Sequence, residues 1–236
     1  MSSESGAIAF KSNATILVSG KEVLTRVYLF NGPPGSGKDT AVEYLTRTYP
    51  ITGEKFALPI YMGVSAFLNI TPQQLAMRKE LPIFPGQRGS MTHRQLMIEF
   101  SERFIKPTFS PTIFGDLLLE RFLTAIHGNM SLIQAQINAL EDSSTFEEVK
   151  IAAAVAISDC GFTEEVQALL KVLPPEAFTV IYLHREGCSY RGDSRDWLDA
   201  RFLGIESVHH VRNEGSVERL YRSLDFIVTE TTDGSL

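Results

Sequence analysis

With 236 residues, 44% hydrophobic and 21% charged, the chain has an ordinary globular composition and the length of one large domain or one domain with an inserted lobe. Lys and Arg number 22 against 28 Asp and Glu, a net charge of -6 that excludes the broad positive surface of a sequence-independent nucleic-acid binder but not a local basic cleft. Cys160 and Cys188 are too few for a disulfide framework and form no spaced zinc set. Residues 1–9 lack the basic and apolar regions of a signal peptide, and the longest apolar run, 151–157, is far short of the ~20 residues that span a bilayer, so the cytoplasm is the expected compartment.

Residues 1–25 read as a frayed arm with a short accessory strand at 14–18. The run Val27-Tyr28-Leu29-Phe30 is a strand, followed by the turn-rich Asn31-Gly32-Pro33-Pro34-Gly35-Ser36-Gly37 and a helix over 39–49. A fainter strand is expected at 55–58. From about 60 to 150 helical patterns dominate: 91–104, 113–127 and 131–150, the last with a cap at Ser144-Thr145. This is too much helix for one crossover and predicts a lobe standing over the loop face of a sheet. Three further apolar runs end at polar residues: 151–158 with Asp159, 178–183 with His184 and Arg185, and 207–211 with Arg212 and Asn213. Strands separated by helices predict a parallel α/β sheet with its ligands at the carboxyl ends of the strands.

Gly32-Pro33-Pro34-Gly35-Ser36-Gly37-Lys38-Asp39-Thr40 matches the phosphate-loop pattern through Gly37-Lys38, with Asp39 at the hydroxyl position and Thr40 one residue later. Its glycines let backbone N–H groups curl around a phosphate, the following helix presents its partly positive end, and Lys38 reaches the terminal phosphates. Gly32, Pro33, Gly35, Ser36, Gly37, Lys38, Asp39 and Thr40 are therefore the expected nucleotide cradle. Asp159, ending an apolar strand, is a candidate for holding the waters of a Mg²⁺ on a triphosphate or for capping the next helix. Arg185, Arg191 and Arg195 cluster in a glycine-containing connection over 186–200 that reads as a short lid, with Asp193 as an orienting partner. Guanidinium groups suit the charge spread over a transferring phosphoryl group. Arg94 on a helical segment is the expected partner of an acceptor phosphate, while Phe100, Phe104 and Phe114 read as core.

The loop with a non-hydroxyl residue after Lys38 and Thr40 next resembles nucleoside monophosphate kinases, and Lys38-Asp39-Thr40 is similar to those of bacteriophage deoxynucleoside monophosphate kinases. Thr92-His93-Arg94-Gln95-Leu96-Met97 resembles that family's segment on the monophosphate side. Ala156-Ile157-Ser158-Asp159 resembles its third-strand carboxylate, and Val211 to Leu220 resembles its segment near the C-terminus. In the resembled kinases the last of these lies beside the adenine of ATP, which implies that Asn213 and Gly215 contact the nucleotide. Family members can carry an arginine two residues after the third-strand carboxylate; Gly161 stands there in this chain, a loss that either is offset by Arg185 or the lid or marks a changed acceptor.

The expectation is thus a P-loop α/β kinase in which residues 1–236 form a single domain: a parallel sheet flanked by helices, a helical acceptor-binding insertion and a short lid. It would use ATP and Mg²⁺, with Thr40 and Asp159 toward the metal and Arg94 and Asp159 toward the acceptor, and phosphorylate a (deoxy)nucleoside monophosphate. If phage-encoded, it would work in the host cytoplasm. Its partners would be small nucleotides, with no membrane, nucleic acid disfavoured and a homodimer left open. The alternatives are a modified pyrimidine acceptor, free or in phage DNA, and a nucleotide-binding switch or ATPase module.

Overall fold

The computed structural model describes residues 9–11, 15–18, 21–139 and 151–233. Chain order gives β1 (Ala9–Lys11), β2 (Thr15–Val18), β3 (Lys21–Asn31), α1 (Lys38–Thr48), β4 (Ile51–Glu54), α2 (Leu58–Phe67), α3 (Pro72–Met77) and α4 (His93–Ile98). A π-helical stretch, Glu99–Ile105, then leads through α5 (Lys106–Thr108) to α6 (Ile113–Ala139). The remainder is β5 (Ile151–Cys160), α7 (Thr163–Leu170), a 3₁₀ turn at Pro175–Ala177, β6 (Phe178–His184), β7 (Ser207–Arg212) and α8 (Val217–Asp233).

Five strands are parallel, in the spatial order β4, β5, β3, β6, β7. The chain starts in the middle at β3, builds one half of the sheet and then crosses to build the other. Such a reversal opens a crevice at the carboxyl end of β3, where the glycine loop begins. Alternation along β3 sends Val27 and Leu29 into one core layer and Tyr28 and Phe30 into the other. The first layer packs under α2, α6 and α7, the second under α1 and α8. With both faces covered, the central strands read as near-continuous apolar runs.

Several sequence expectations need correction. The strand expected at 55–58 lies earlier, at Ile51–Glu54: Ile51 is the buried residue, while Phe56 and Ala57 turn into α2, which carries Pro59 in its first turn. The arm is not simply frayed, because β1 and β2 form an antiparallel hairpin that pairs with the first residues of an eleven-residue β3. The expected helices over 113–127 and 131–150 are one through Ala139, because Gly128 alone does not interrupt a favourable helical run. Residues 140–150, with the cap expected at Ser144-Thr145, lie outside the described residues. The helix expected over 91–104 starts at His93, where Thr92 and Gln95 form a reciprocal capping box, and changes to π-helical hydrogen bonding from Glu99. Phe114 is in the core, 2% exposed. Among the described residues, no helix is long and apolar enough to cross a membrane.

Candidate functional site

The loop between β3 and α1 is shaped by its glycines. Gly35 and Gly37 have φ of 81° and 101°, in the left-handed region that costs a side chain dearly. Gly37 also abuts the Asn213 side-chain amide, which donates to the Ser36 carbonyl at 2.9 Å while the Asn213 backbone N–H donates to His184 O at 2.8 Å. Asn213 thus ties the end of β7 to the loop. Lys38 is 7% exposed and folds back onto the loop, its ammonium donating to the carbonyls of Gly32 and, at 2.8 Å, of Pro33. Burial, helped by the charge of Arg195, lowers its pKa to about 8. Pro34, Gly35 and Gly37 line one cavity with Lys38, and a polyphosphate bound there would compete with the two carbonyls for its ammonium.

That cavity, about 440 Å³, runs from the loop beneath α2 and α4 to the start of α7. Lys38, Asp39, Thr40, Arg94, Asp159, Arg185 and Arg195 all line it. Residues brought together here thus come from β3–α1, α4, the end of β5 and the connection after β6. Gly215 and Asn213 line an adjoining hollow with Gly37, Thr40 and Arg185. Arg191 is different: it is exposed and lines neither space, so the structure does not bring it to the site.

The stretch over 186–200 has no regular helix or strand, and its second half is anchored. Asn31, fully buried at the end of β3, donates toward the carbonyls of Cys160 and Asp196 and the Tyr190 hydroxyl, and accepts from Leu198 N–H at 3.1 Å. Asp193 holds Arg195 through two hydrogen bonds of 2.8 Å. Burial alone would lower the Arg195 pKa, but this carboxylate pair raises it, so the guanidinium is a fixed cation. Arg195 lies across Gly161, where any side chain would collide with its stem. The glycine after β5 is therefore what lets Arg195 reach the cavity. Arg185 donates from Nη1 to the Gly35 carbonyl at 3.2 Å.

Asp159 neither stands free nor caps its own following helix. Its two oxygens each accept a backbone N–H at 2.9 Å, from Phe56 and from Ala57, fixing the turn into α2. Burial raises its pKa against these two bonds and the charges of Arg195 and Lys55. Asp39 accepts from Lys55 Nζ at 2.7 Å and from Ser158 Oγ at 2.8 Å. Burial works to raise its pKa, but these donors win and keep it ionised. Arg94 pairs with Glu80 at 2.6 Å and stands 3.8 Å from Asp193, within one charge network with Arg195.

Sequence reasoning missed Lys55, Lys79, Tyr61, Glu102 and Glu165, all of which line the cavity. Lys79 lies 5.0 Å from the Tyr61 ring centroid, and burial together with Arg94 and Lys55 lowers its pKa. Neither lysine belongs to a motif. The sequence reading set Lys55 at the start of a strand, whereas the structure puts it just past the end of β4, where ligand residues gather. Lys38, Lys55, Lys79, Arg94 and Arg195 leave the loop end of the cavity suited to more than one phosphate group.

No protein-family model matches the chain, and no curated protein matches it in sequence. Among solved structures, an unliganded sugar kinase from Janibacter sp. HTCC2649 aligns over 86% of this chain and 95% of its own at 13% identity, with a TM-score of 0.34. The protein TT1252 from Thermus thermophilus aligns over 87% and 97% at 14% identity, also with a TM-score of 0.34. At that distance neither likeness assigns an activity.

Proposed function

We propose that this protein transfers the γ-phosphoryl group of ATP to the phosphate of a nucleoside monophosphate, a deoxynucleotide on the phosphate-loop resemblance, releasing ADP and the diphosphate. The observation that carries the reading is a single cavity lined both by the glycine loop with Lys38 and, from separate segments of the chain, by Lys55, Lys79, Arg94 and Arg195. A phosphate-binding loop alone would serve any nucleotide-binding protein. A second set of cations across the same cavity supplies a place for a second phosphate group.

An acceptor phosphate oxygen attacks the γ-phosphorus in line as the bond to the β,γ-bridging oxygen breaks, and the electron pair leaves with ADP. The protein needs to supply little covalent chemistry; it holds the groups in line and offsets charge. Lys38 and the loop amides bind the β- and γ-phosphates. Arg195, held by Asp193, lies with Arg185 beside the transferring group, and Arg94 with Lys79 orients the acceptor. Asn213 and Gly215 border the hollow suited to the base of ATP. The residues fit a Mg²⁺ held mainly by water and phosphate oxygens: Thr40 is exposed toward the cavity, Asp39 is ionised, and each Asp159 oxygen retains acceptor capacity beyond its one amide bond. Such an ion would neutralise charge on the triphosphate.

The test is ADP release by the purified protein with ATP and Mg²⁺, screened against each common ribo- and deoxynucleoside monophosphate, 5-hydroxymethyl-dUMP and DNA containing that base. Strong stimulation by one or a few monophosphates is the expected result. ATP binding without stimulation by any of them would overturn the reading in favour of a switch or partner-dependent ATPase, and stimulation by the DNA alone would replace the acceptor.

A further inference from the structure

The two ends of the cavity differ in chemistry. The loop end is cationic, whereas the far end is walled by Ile60, Met97 and Phe162 and holds two carboxyl groups, Glu102 and Glu165. Glu165 opens α7 and is 3% exposed. Close packing fixes its place: a side chain on Gly115 of α6 would collide with the Glu165 carbonyl and the Ala168 methyl. Lys106 serves both carboxyls, at 2.9 Å from Glu102 and 3.6 Å from Glu165, and is itself seated 3.4 Å from the Phe162 ring centroid. Ser101 Oγ donates to Glu102 at 3.1 Å. One ammonium thus faces two carboxyls, Glu165 buried and Glu102 partly exposed, in a partly aromatic slot of the cavity.

Both carboxyls ionised beside a single cation would leave one negative charge without an equal partner, and desolvation makes that costly, so the empty site holds a proton instead. A ligand can relieve it by bringing hydrogen-bond donors. The volume is ample for a nucleotide-sized acceptor, and a monophosphate bound at Lys79 and Arg94 has its base left to occupy the remaining end. We infer that Glu165, with Glu102 and Lys106, reads the acceptor's base and selects a ring edge that presents adjacent N–H donors, as a guanine-type base does. This rests on the phosphoryl-transfer reading above. A carboxylate offers two acceptor oxygens and no donor, so it pairs with two neighbouring N–H groups. A thymine edge sets one N–H between two carbonyl oxygens, and adenine and cytosine set a ring lone pair beside the amino group; each turns at least one acceptor toward the carboxylate. A site built to bind donors rejects an analogue lacking one, because its own buried acceptor is left unpaired. Lys106, Glu102 and Asp159 are the charged groups facing Glu165, and burial pushes its pKa up to about 8 in the empty site. A donor-bearing base favours the ionised form, so acceptor binding displaces a proton near neutral pH.

The experiment measures equilibrium binding of dGMP, dIMP, dAMP, dCMP and dTMP without ATP, to wild type and to Glu165→Gln. dIMP differs from dGMP by one amino donor, so the comparison on wild type tests the inference even if the variant fails to fold. The expectation is that dGMP binds about tenfold or more tighter than dIMP, the scale of one hydrogen bond to a charged group. Glu165→Gln should shrink that gap to within about threefold, and the strengthening of dGMP binding from pH 6 to 8 should flatten in the variant. Equal binding of dGMP and dIMP, a discrimination unchanged in Glu165→Gln, or a preference for dAMP or dCMP would overturn the inference. Selective binding without phosphoryl transfer to any monophosphate would sink the proposed function and leave the subsite standing, whereas no binding of any monophosphate would sink both.

Discussion

The two walls of the cavity are built in opposite ways. The loop wall comes from one segment: of the expected cradle, Gly35 and Gly37 to Thr40 line the cavity with Pro34, whereas Gly32, Pro33 and Ser36 are buried beneath them. Its expected ligands are largely backbone N–H groups placed by left-handed glycines at one sheet position. The rest of the lining gathers Lys55, Lys79, Arg94, Glu102, Asp159, Glu165 and Arg195 from separate segments, positioned by side-chain contacts both local and distant in sequence. Asp193 holds Arg195, Glu80 holds Arg94, and the α2 turn hangs on Asp159. A backbone-built wall gives a general capacity, to hold a polyphosphate. On the proposed function, a side-chain-built wall is where one acceptor would be told from another, because most of its side chains, unlike Asp159, can be exchanged without rebuilding a turn of the fold.

Substitutions can break or sharpen that contrast. Lys38→Ala removes the one side chain the loop wall depends on; turnover should fall by about 10²-fold or more while the protein folds normally, read by ADP release beside a circular-dichroism melt. On the facing wall, Arg195→Ala should lower kcat/KM by about 10-fold to 10²-fold, whereas Arg191→Ala should change it less than about twofold, since Arg191 lines no part of the cavity. Equal losses from the two arginines would mean that the connection over 186–200 rearranges in turnover. Asn213→Ala deletes the bond to Ser36 O and should raise the KM for ATP several-fold and cost about 1 kcal/mol in a denaturant titration, leaving acceptor binding unaffected.

A further effect is on the pH dependence of stability. The folded-state pKa of Glu165, about 8, lies above the ordinary glutamate value of 4.5, so the group's contribution is fully present below pH 4.5 and is lost as pH rises through about 8. Wild-type stability should therefore fall relative to Glu165→Gln across that window, by at most about 1.4 kcal/mol per pH unit, in melts of the two proteins at pH 5, 7 and 9. Parallel melts at all three would show that Glu165 is ionised in the empty site.

Local signals made the loop wall and the central strands legible. Val27 to Phe30 is a fully buried strand, the glycines that follow require positive φ, and the run from Ile151 needs cover on both faces. Arg94 and Arg195 were legible as cations in suggestive places, but their carboxylate partners were not all visible: Asp193 is two residues from Arg195, while Glu80 is fourteen from Arg94. Glu165 looked like an ordinary acidic residue in a helix's first turn, as Glu164 beside it does. Glu165 faces the cavity beside Lys106 with α6 packed closely on its backbone at Gly115, whereas Glu164 is exposed, and that difference comes from packing distant in sequence. The misplaced strand near residue 55 has a similar cause, since Phe56 is as apolar as a strand residue but its N–H belongs to Asp159, 103 positions away.

The central claim is that one cavity takes the triphosphate on its loop wall and a monophosphate on the wall opposite. Calorimetric titration with a bisubstrate analogue, adenosine joined to a second nucleoside through five phosphates, tests it most directly. The account expects one analogue per chain, displaced by ATP and by the acceptor monophosphate alike, with binding lost in Lys38→Ala. Two analogues per chain, or an analogue that ATP displaces and no monophosphate does, would contradict it.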